Sequence, residues 1–306
     1  MSKELTIGFV GFGEAGFHIA KGFRTEGLHR IAAFDINRHT PKLGEKIRDR
    51  AEAAGTRLVD SSRELAESAE ILISTVTSDR AREAAEQTAP FLGSHHIYAD
   101  LNSVSPALKQ TIETIITASE AGFVEAAVMS PVPPHGHRAP MLLGGKAASA
   151  FARIMAPYGM RLDVISEKVG TAAATKMVRS IIVKGLEALM LECILAASPY
   201  EADERVFSSL AESFPGLDWQ KLAHYMVGRV VVHGERRAHE MDEVAETLRS
   251  LGIEPIMAEA TARRQRWCAG LGIASRFGPD GPKTYREALE AMAGLCYGSQ
   301  HSGEKA

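Results

Sequence analysis

Gly11-Phe12-Gly13-Glu14-Ala15-Gly16 is the stretch that decides the fold. It follows an apolar run at 5–10 that reads as a strand, and it opens a helical pattern at 14–26. In a Gly-x-Gly-x-x-Gly spacing of this kind, the first glycine permits a tight turn. The second lets the backbone approach a pyrophosphate, and the third lets the helix pack close against the strand. The helix N-terminus adds N–H donors and positive potential. Asp35 stands nineteen residues after Gly16, at the end of a second strand read at 30–34. An acid there bonds adenosine ribose hydroxyls and repels a 2′-phosphate. Gly11, Phe12, Gly13, Glu14, Ala15, Gly16 and Asp35 are therefore expected to bind a dinucleotide. The competing reading is a glycine-rich turn beside a surface aspartate. Asn37 and Arg38 lie just beyond, and an arginine at this edge can accept a 2′-phosphate. NAD is the expected cofactor, with NADP as the alternative.

Outward from this loop, strands at 57–59, 70–76, 96–99, 123–128 and 140–143 alternate with helical patterns. Ser105 followed by Pro106 is a strong helix start. Apolar strands without polar alternation, separated by helices, indicate a parallel sheet covered on both faces. Thr75 and Thr77 follow the fourth strand, at the carboxyl edge where such sheets bind ligands, and are candidate cofactor contacts. A plain polar loop is the equal alternative for both. After about 165 only helices are read: 169–197, 201–213, 219–231, 236–250, 256–269 and 282–296. The expected architecture is α/β. A Rossmann-type doubly wound domain at 1–165 is followed by an all-α domain at 166–306, with a long helix joining them.

Composition agrees with this division. A length of 306 residues suits two domains, and 45% hydrophobic with 24% charged residues excludes disorder as the main state. A net charge of −3 argues against nucleic-acid binding. Cys193, Cys268 and Cys296 form no CxxC pair, which fits a reducing compartment. The start MSKELTIGFVGFGE has no signal-peptide pattern, and no run reaches the ~18 apolar residues of a membrane span. A cytoplasmic protein is expected, with a frayed polar tail at 298–306.

The long helix AATKMVRSIIVKGLEALMLECIL is apolar on more than one face. Lys176, Ser180, Lys184 and Glu187 nevertheless sit at offsets of 0, 4, 8 and 11. At about 100° per residue they form one polar stripe. Burial can lower a lysine pKa toward neutrality, so such a lysine is a candidate general acid/base. An ion pair between Lys184 and Glu187 is the structural alternative.

These features together resemble the β-hydroxyacid dehydrogenase family, which includes 3-hydroxyisobutyrate and 6-phosphogluconate dehydrogenases, and mark the chain as a divergent member. The family motif Gly-x-Gly-x-x-x-Lys is similar to Gly170-Thr171-Ala172-Ala173-Ala174-Thr175-Lys176, with Ala172 replacing the second glycine. The resemblance implies that Lys176 is the general acid/base and that Ser180 stands where the family has a substrate-holding asparagine. Asp100-Leu101-Asn102-Ser103 is similar to the family's Asp-x-Ser-Thr segment, which makes Asn102 and Ser103 carboxylate-binding candidates. As a segment before a capped helix, Asn102-Ser103 also reads as a plain turn. The Ser-Gly-Gly loop falls on Met129-Ser130-Pro131, leaving Ser130 as its polar candidate. The implied activity is NAD(P)-dependent oxidation of the hydroxyl of a small 3-hydroxy acid, or reduction of the keto form. The partner implied is a carboxylate-bearing substrate, and the implied assembly a homodimer through the C-terminal domain. Imine reduction and a non-catalytic nicotinamide-binding sensor or scaffold are the alternatives.

The segment HGERRAHEMDEVAETL concentrates His233, Glu235, His239 and Glu240. His233 and His239 are six apart and do not share a helix face, so no metal site is expected. Arg236 and Glu240 suit an i,i+4 ion pair on a solvated face. A lesser reading lets His233, Arg237 or Glu240 complete a substrate pocket.

Overall fold

Residues 5–296 are described in the computed structural model, and the tail at 298–306 lies outside them, as does the side chain of Cys296. Eight strands form one sheet: β1 Ile7–Val10, β2 Ile31–Phe34, β3 Arg57–Leu58, β4 Ile71–Ser74, β5 Ile97–Asp100, β6 Gly122–Val128, β7 Met141–Gly144 and β8 Leu162–Ser166. Their order is β3-β2-β1-β4-β5-β6-β7-β8. All neighbours run parallel except β6 and β7, where Glu125 faces Gly144 and Val128 faces Met141. From β1 the chain winds outward to β3, then returns and winds the other way from β4. This puts the topological switch point at the carboxyl ends of β1 and β4.

The helices of this part are α1 Glu14–Thr25, α2 Leu43–Ala53, α3 Ser62–Ser68, α4 Ala81–Thr88, α5 Pro106–Thr117, the short α6 Val132–His135, and α7 Ala148–Met155. Both sheet faces are buried, which explains the uninterrupted apolar strands. Ile7 and Phe9 point into one core with Phe12, Ile19, Phe23 and Phe151. Val10 and Leu72 point into the other with Leu65, Ala85, Tyr98 and Ile112.

The chain divides into two compact units after Lys176. The first therefore runs past position 165 to include all of β8 and the start of α8 Thr171–Ala197. β8 was not expected: its LDVIS is largely exposed, so it lacks the buried-strand signature of the others. The second unit holds α9 Asp203–Ser213, α10 Trp219–Ser250, α11 Ile256–Gly270 and α12 Tyr285–Cys296, and no strand among the described residues. One 32-residue helix, α10, replaces the two helices expected at 219–231 and 236–250. Gly234 sits inside it, buried, where a Cβ would lie 2.8 Å from the Gln265 carbonyl oxygen. This glycine marks a close helix–helix contact and not a helix end. Among the described residues no helix is long and apolar enough to cross a membrane.

Candidate functional site

The glycine loop forms a cradle at the switch point. Gly11 adopts φ +81, and a Cβ there would lie 2.6 Å from Val76 Cγ1, so both conformation and space require glycine. Its N–H donates to the Phe34 carbonyl oxygen at 2.8 Å. At Gly16 a Cβ would lie 2.8 Å from Thr75 Oγ1, which itself donates to the Gly11 carbonyl oxygen at 2.8 Å. Gly13 differs from both. Its φ is −75 and an added Cβ would meet no protein atom within 4 Å. Nothing among the described residues requires glycine there. The free space lies at the N-terminus of α1, where a pyrophosphate would pass and where a helix N-terminus fits that group.

Asp35 is buried and holds the loop from the other side. Its Oδ2 accepts the Phe12 N–H at 2.8 Å, and its Oδ1 accepts the Asn37 N–H at 2.8 Å. Each carboxylate oxygen retains a further lone pair for a ribose hydroxyl. A cleft of 540 Å³ brings together Gly11, Gly13, Glu14, Asp35, Asn37, Thr75 and Thr77, with Ile36, Leu43, Ile47 and Val76 as apolar walls. Phe12, Ala15 and Gly16 build this cradle without lining it. The Phe12 ring is buried 5.8 Å from that of Phe9, and its N–H is occupied by Asp35. Arg38 also lies off the cleft lining: its guanidinium pairs with Asp60 at 2.8 Å and stacks over Phe34 at 5.5 Å.

At the adjacent edge of the sheet, β5 ends in a buried polar cluster that sequence reasoning missed. Lys109, 1% exposed, pairs with Asp100 Oδ2 at 3.1 Å and donates to the Asp100 carbonyl oxygen at 2.7 Å. Asp100 Oδ1 accepts the Asn102 N–H at 3.0 Å. The only signal in the sequence is a lysine on the apolar face of α5. Asn102 Nδ2 donates to Ser74 Oγ at 2.9 Å, while its Oδ1 is buried without a hydrogen-bond partner among the described residues. Ser130, after β6, likewise has a buried hydroxyl with no hydrogen-bond partner among the described residues. Buried polar atoms left this way are costly unless a ligand meets them. Ser103 is exposed.

Glu125 is the second residue missed. Fully buried in the middle of β6, it accepts the N–H groups of Gly170 at 2.8 Å, Ala172 at 2.9 Å and Ala173 at 3.4 Å. The carboxylate thus caps the helix that carries Lys176, where the helix dipole favours negative charge. Gly144 makes room for it, since a Cβ there would lie 2.4 Å from Glu125 Oε1. A glutamate inside the apolar run FVEAAV was the available clue. Lys176 itself is half-buried.

In the second unit the polar stripe on α8 is engaged by α10. Lys184 Nζ pairs with Glu240 at 2.7 Å and donates to Ser180 Oγ at 3.0 Å. Burial pushes the Lys184 pKa down against the raising pull of Glu240. Glu187 binds Arg237, whose Nε donates to Oε2 at 2.7 Å. The i,i+3 pair of Lys184 with Glu187 is thus replaced by two pairs to α10. Arg236 and Glu240 pair as expected, at 2.5 Å. His239 pairs with Glu235 at 3.1 Å, and no metal-binding group is found among the described residues.

Comparison with known proteins agrees with this geometry. Residues 6–164 match the family described as the NAD binding domain of 6-phosphogluconate dehydrogenase, and residues 197–268 match a domain of unknown function. An uncharacterized 28.5 kDa protein of Methanothermus fervidus is 28% identical over 260 residues, 84% of this chain and 96% of that protein. A conserved hypothetical protein from Sinorhizobium meliloti 1021 has a solved structure with 34% identity and a TM-score of 0.79, covering 95% of this chain and 97% of its own. Another solved protein of unknown function, described as structurally similar to 3-hydroxyacid dehydrogenases, shows 28% identity and a TM-score of 0.74 over 87% of this chain and 97% of its own. The chain belongs to the β-hydroxyacid dehydrogenase family as a divergent member, with an NAD binding domain of the 6-phosphogluconate dehydrogenase kind.

Proposed function

We propose that this protein is an NAD-dependent oxidoreductase that oxidises the hydroxyl of a small 3-hydroxy acid, or reduces the corresponding keto acid, with Lys176 as general acid/base. The observation that carries the reading is the unfilled Cβ space at Gly13, in a cleft that Asp35 also lines. A bare glycine beside open space suits a bound pyrophosphate, and the Asp35 carboxylate favours NAD over its 2′-phosphorylated form.

The nicotinamide, when bound, supplies the hydride chemistry. Lys176 takes the hydroxyl proton in the oxidative direction and returns it in the reductive one. The hydroxyls of Ser103 and Ser130 donate to the substrate carboxylate. Asn102 Oδ1, an acceptor held by the bond from its own amide to Ser74, suits an O–H or N–H of the ligand. Glu125 fixes the start of α8 and with it the backbone from which Lys176 projects. A homodimer is proposed as well, supported by Val178, Ile182, Leu186 and Leu189, exposed apolar side chains along one stripe of α8.

The test is NADH formation over a panel of 3-hydroxy acids, followed in reverse with keto acids and cyclic imines. Turnover with a 3-hydroxy acid supports the proposal. Reduction of imines alone would replace it with the imine reductase reading, and binding of NADH without any turnover would favour a sensor.

A further inference from the structure

The second unit carries a groove whose charge has no counterpart in the reaction above. It occupies 410 Å³ between the first half of α10 and the segment that leads into α12. Arg229 lies in its lining, and the charge around Arg229 does not balance. Glu187, 1% exposed, already binds Arg237 through both oxygens and lies 3.5 Å from Gln265 Nε2. Arg229 Nε lies 3.3 Å from the same carboxylate, so one buried anion faces two guanidiniums. The Arg229 side chain is only 26% exposed and its guanidinium lies 5.3 Å from the centre of the Tyr225 ring. It is therefore a partly desolvated, oriented cation with surplus charge.

The rest of the groove adds to the imbalance. Lys221 and Lys283 line it, with no ion pair for either ammonium among the described residues, and Asp280 is its only carboxylate. The lining thus carries three cations against one carboxylate; Asp218 and Glu287, which are not part of it, accept the backbone N–H groups of Lys221 and Lys283 at 2.9 Å, and Arg229 shares Glu187 with Arg237. His233 lines the same groove one helical turn from Arg229. Partial burial, then the guanidiniums of Arg236, Arg229 and Arg237, hold its pKa below the ordinary imidazole value, so it stands as a neutral hydrogen-bonding group. The walls are stiff. Gly281 adopts φ +75 with Pro282 beside it, and a Cβ on Gly281 would lie 2.5 Å from Val232 Cγ2.

We infer that this groove binds a small dianionic oxyanion, a phosphate monoester or a dicarboxylate, through Arg229, Lys221 and Lys283. An arginine fork donates to two oxygens of either group, and the two ammonium groups supply the remaining charge. Tyr225, 60% exposed, also lines the groove and can contact the body of the ligand.

The test uses the full chain at constant ionic strength, titrated calorimetrically with inorganic phosphate, succinate and sodium chloride. Saturable binding of phosphate or succinate, absent with chloride, is expected, and the tighter of the two identifies the head group. Arg229→Gln should weaken that binding at least tenfold, and so should the surface double variant Lys221→Ala/Lys283→Ala, which leaves the buried Glu187 cluster intact. No saturable binding of either dianion, or unchanged affinity in the double lysine variant, would overturn the inference. Binding that competes with a 3-hydroxy acid would assign the groove to the substrate's distal group, and binding without competition to an effector; both are forms of the same site.

Discussion

Glu125 Oε1 accepts the backbone N–H of Gly170 at 2.8 Å, tying the middle of β6 to the start of the helix that carries Lys176. Because the same carboxylate takes the N–H groups of Ala172 and Ala173, this helix N-terminus is closed to a substrate anion. The carboxylate of a substrate must be held elsewhere, at Ser103 and Ser130 in the proposal above. Replacing Glu125 with Ala would leave these N–H groups without an acceptor and open a cavity, destabilising the protein by about 3 kcal/mol. Glu125→Gln keeps one acceptor oxygen and should lose less. Thermal unfolding of both variants checks the order. If turnover is found, kcat should fall in Glu125→Gln while the KM for NAD stays within twofold.

Gly13 and Gly16 should separate cofactor binding from folding. Gly13→Ala adds a methyl where no protein atom is near, so stability should change by less than about 1 kcal/mol. The affinity for NADH should nonetheless fall at least tenfold. Gly16→Ala drives a methyl toward the Thr75 hydroxyl at 2.8 Å and disturbs its bond to Gly11. It should cost about 1–3 kcal/mol as well as affinity. Melting temperatures and fluorescence titration with NADH make the comparison.

Asp35 is expected to govern cofactor choice. Asp35→Ser removes the charge that opposes a 2′-phosphate, so the ratio of kcat/KM for NADP to that for NAD should rise at least tenfold. Since Asp35 also accepts from Phe12 and Asn37, absolute efficiency with NAD should fall. An unchanged ratio would remove Asp35 from cofactor selection.

His96 makes stability depend on pH. It is buried, its Nδ1 accepts the Gly93 N–H at 2.9 Å, and its Nε2 lies 3.0 Å from the Ala66 carbonyl oxygen. Burial lowers its pKa below the ordinary value of 6.5. The unfolded chain therefore binds this proton more readily, and the stability from neutral His96 is present above the unfolded pKa and lost as pH falls below it. The slope attributable to this group is positive and is bounded above by about 1.4 kcal/mol per pH unit, the value for one whole proton. Urea midpoints between pH 5 and 7 should show this slope in the wild type and a shallower one in His96→Gln.

Much of this was legible because both sheet faces are buried. The strands beginning at Ile7, Ile31, Ile71, Ile97 and Gly122 announce themselves as apolar runs between helices. β8 did not, since an exposed edge strand such as LDVIS carries no burial pattern. The break expected between 231 and 236 does not exist: Gly234, inside that stretch, serves a close helix crossing against the Gln265 backbone, a tertiary contact with no local signal. Local spacing also suggested that Lys184 would pair with Glu187. The α10 side chains Glu240 and Arg237 took those partners, a tertiary choice with no local signature. The glycine cradle was readable because its chemistry is local in sequence. Glu125 and Lys109 were not, because a buried charge can be understood only once its distant partners are known.

In the function proposed above, Lys176 performs the proton transfer in the oxidation of a 3-hydroxy acid. This role is tested most directly by following NADH formation in Lys176→Ala beside the wild type, with NADH affinity measured on both proteins. The account predicts that kcat falls by at least 10²-fold while NADH affinity stays within twofold. Turnover retained in Lys176→Ala at the wild-type rate would contradict it.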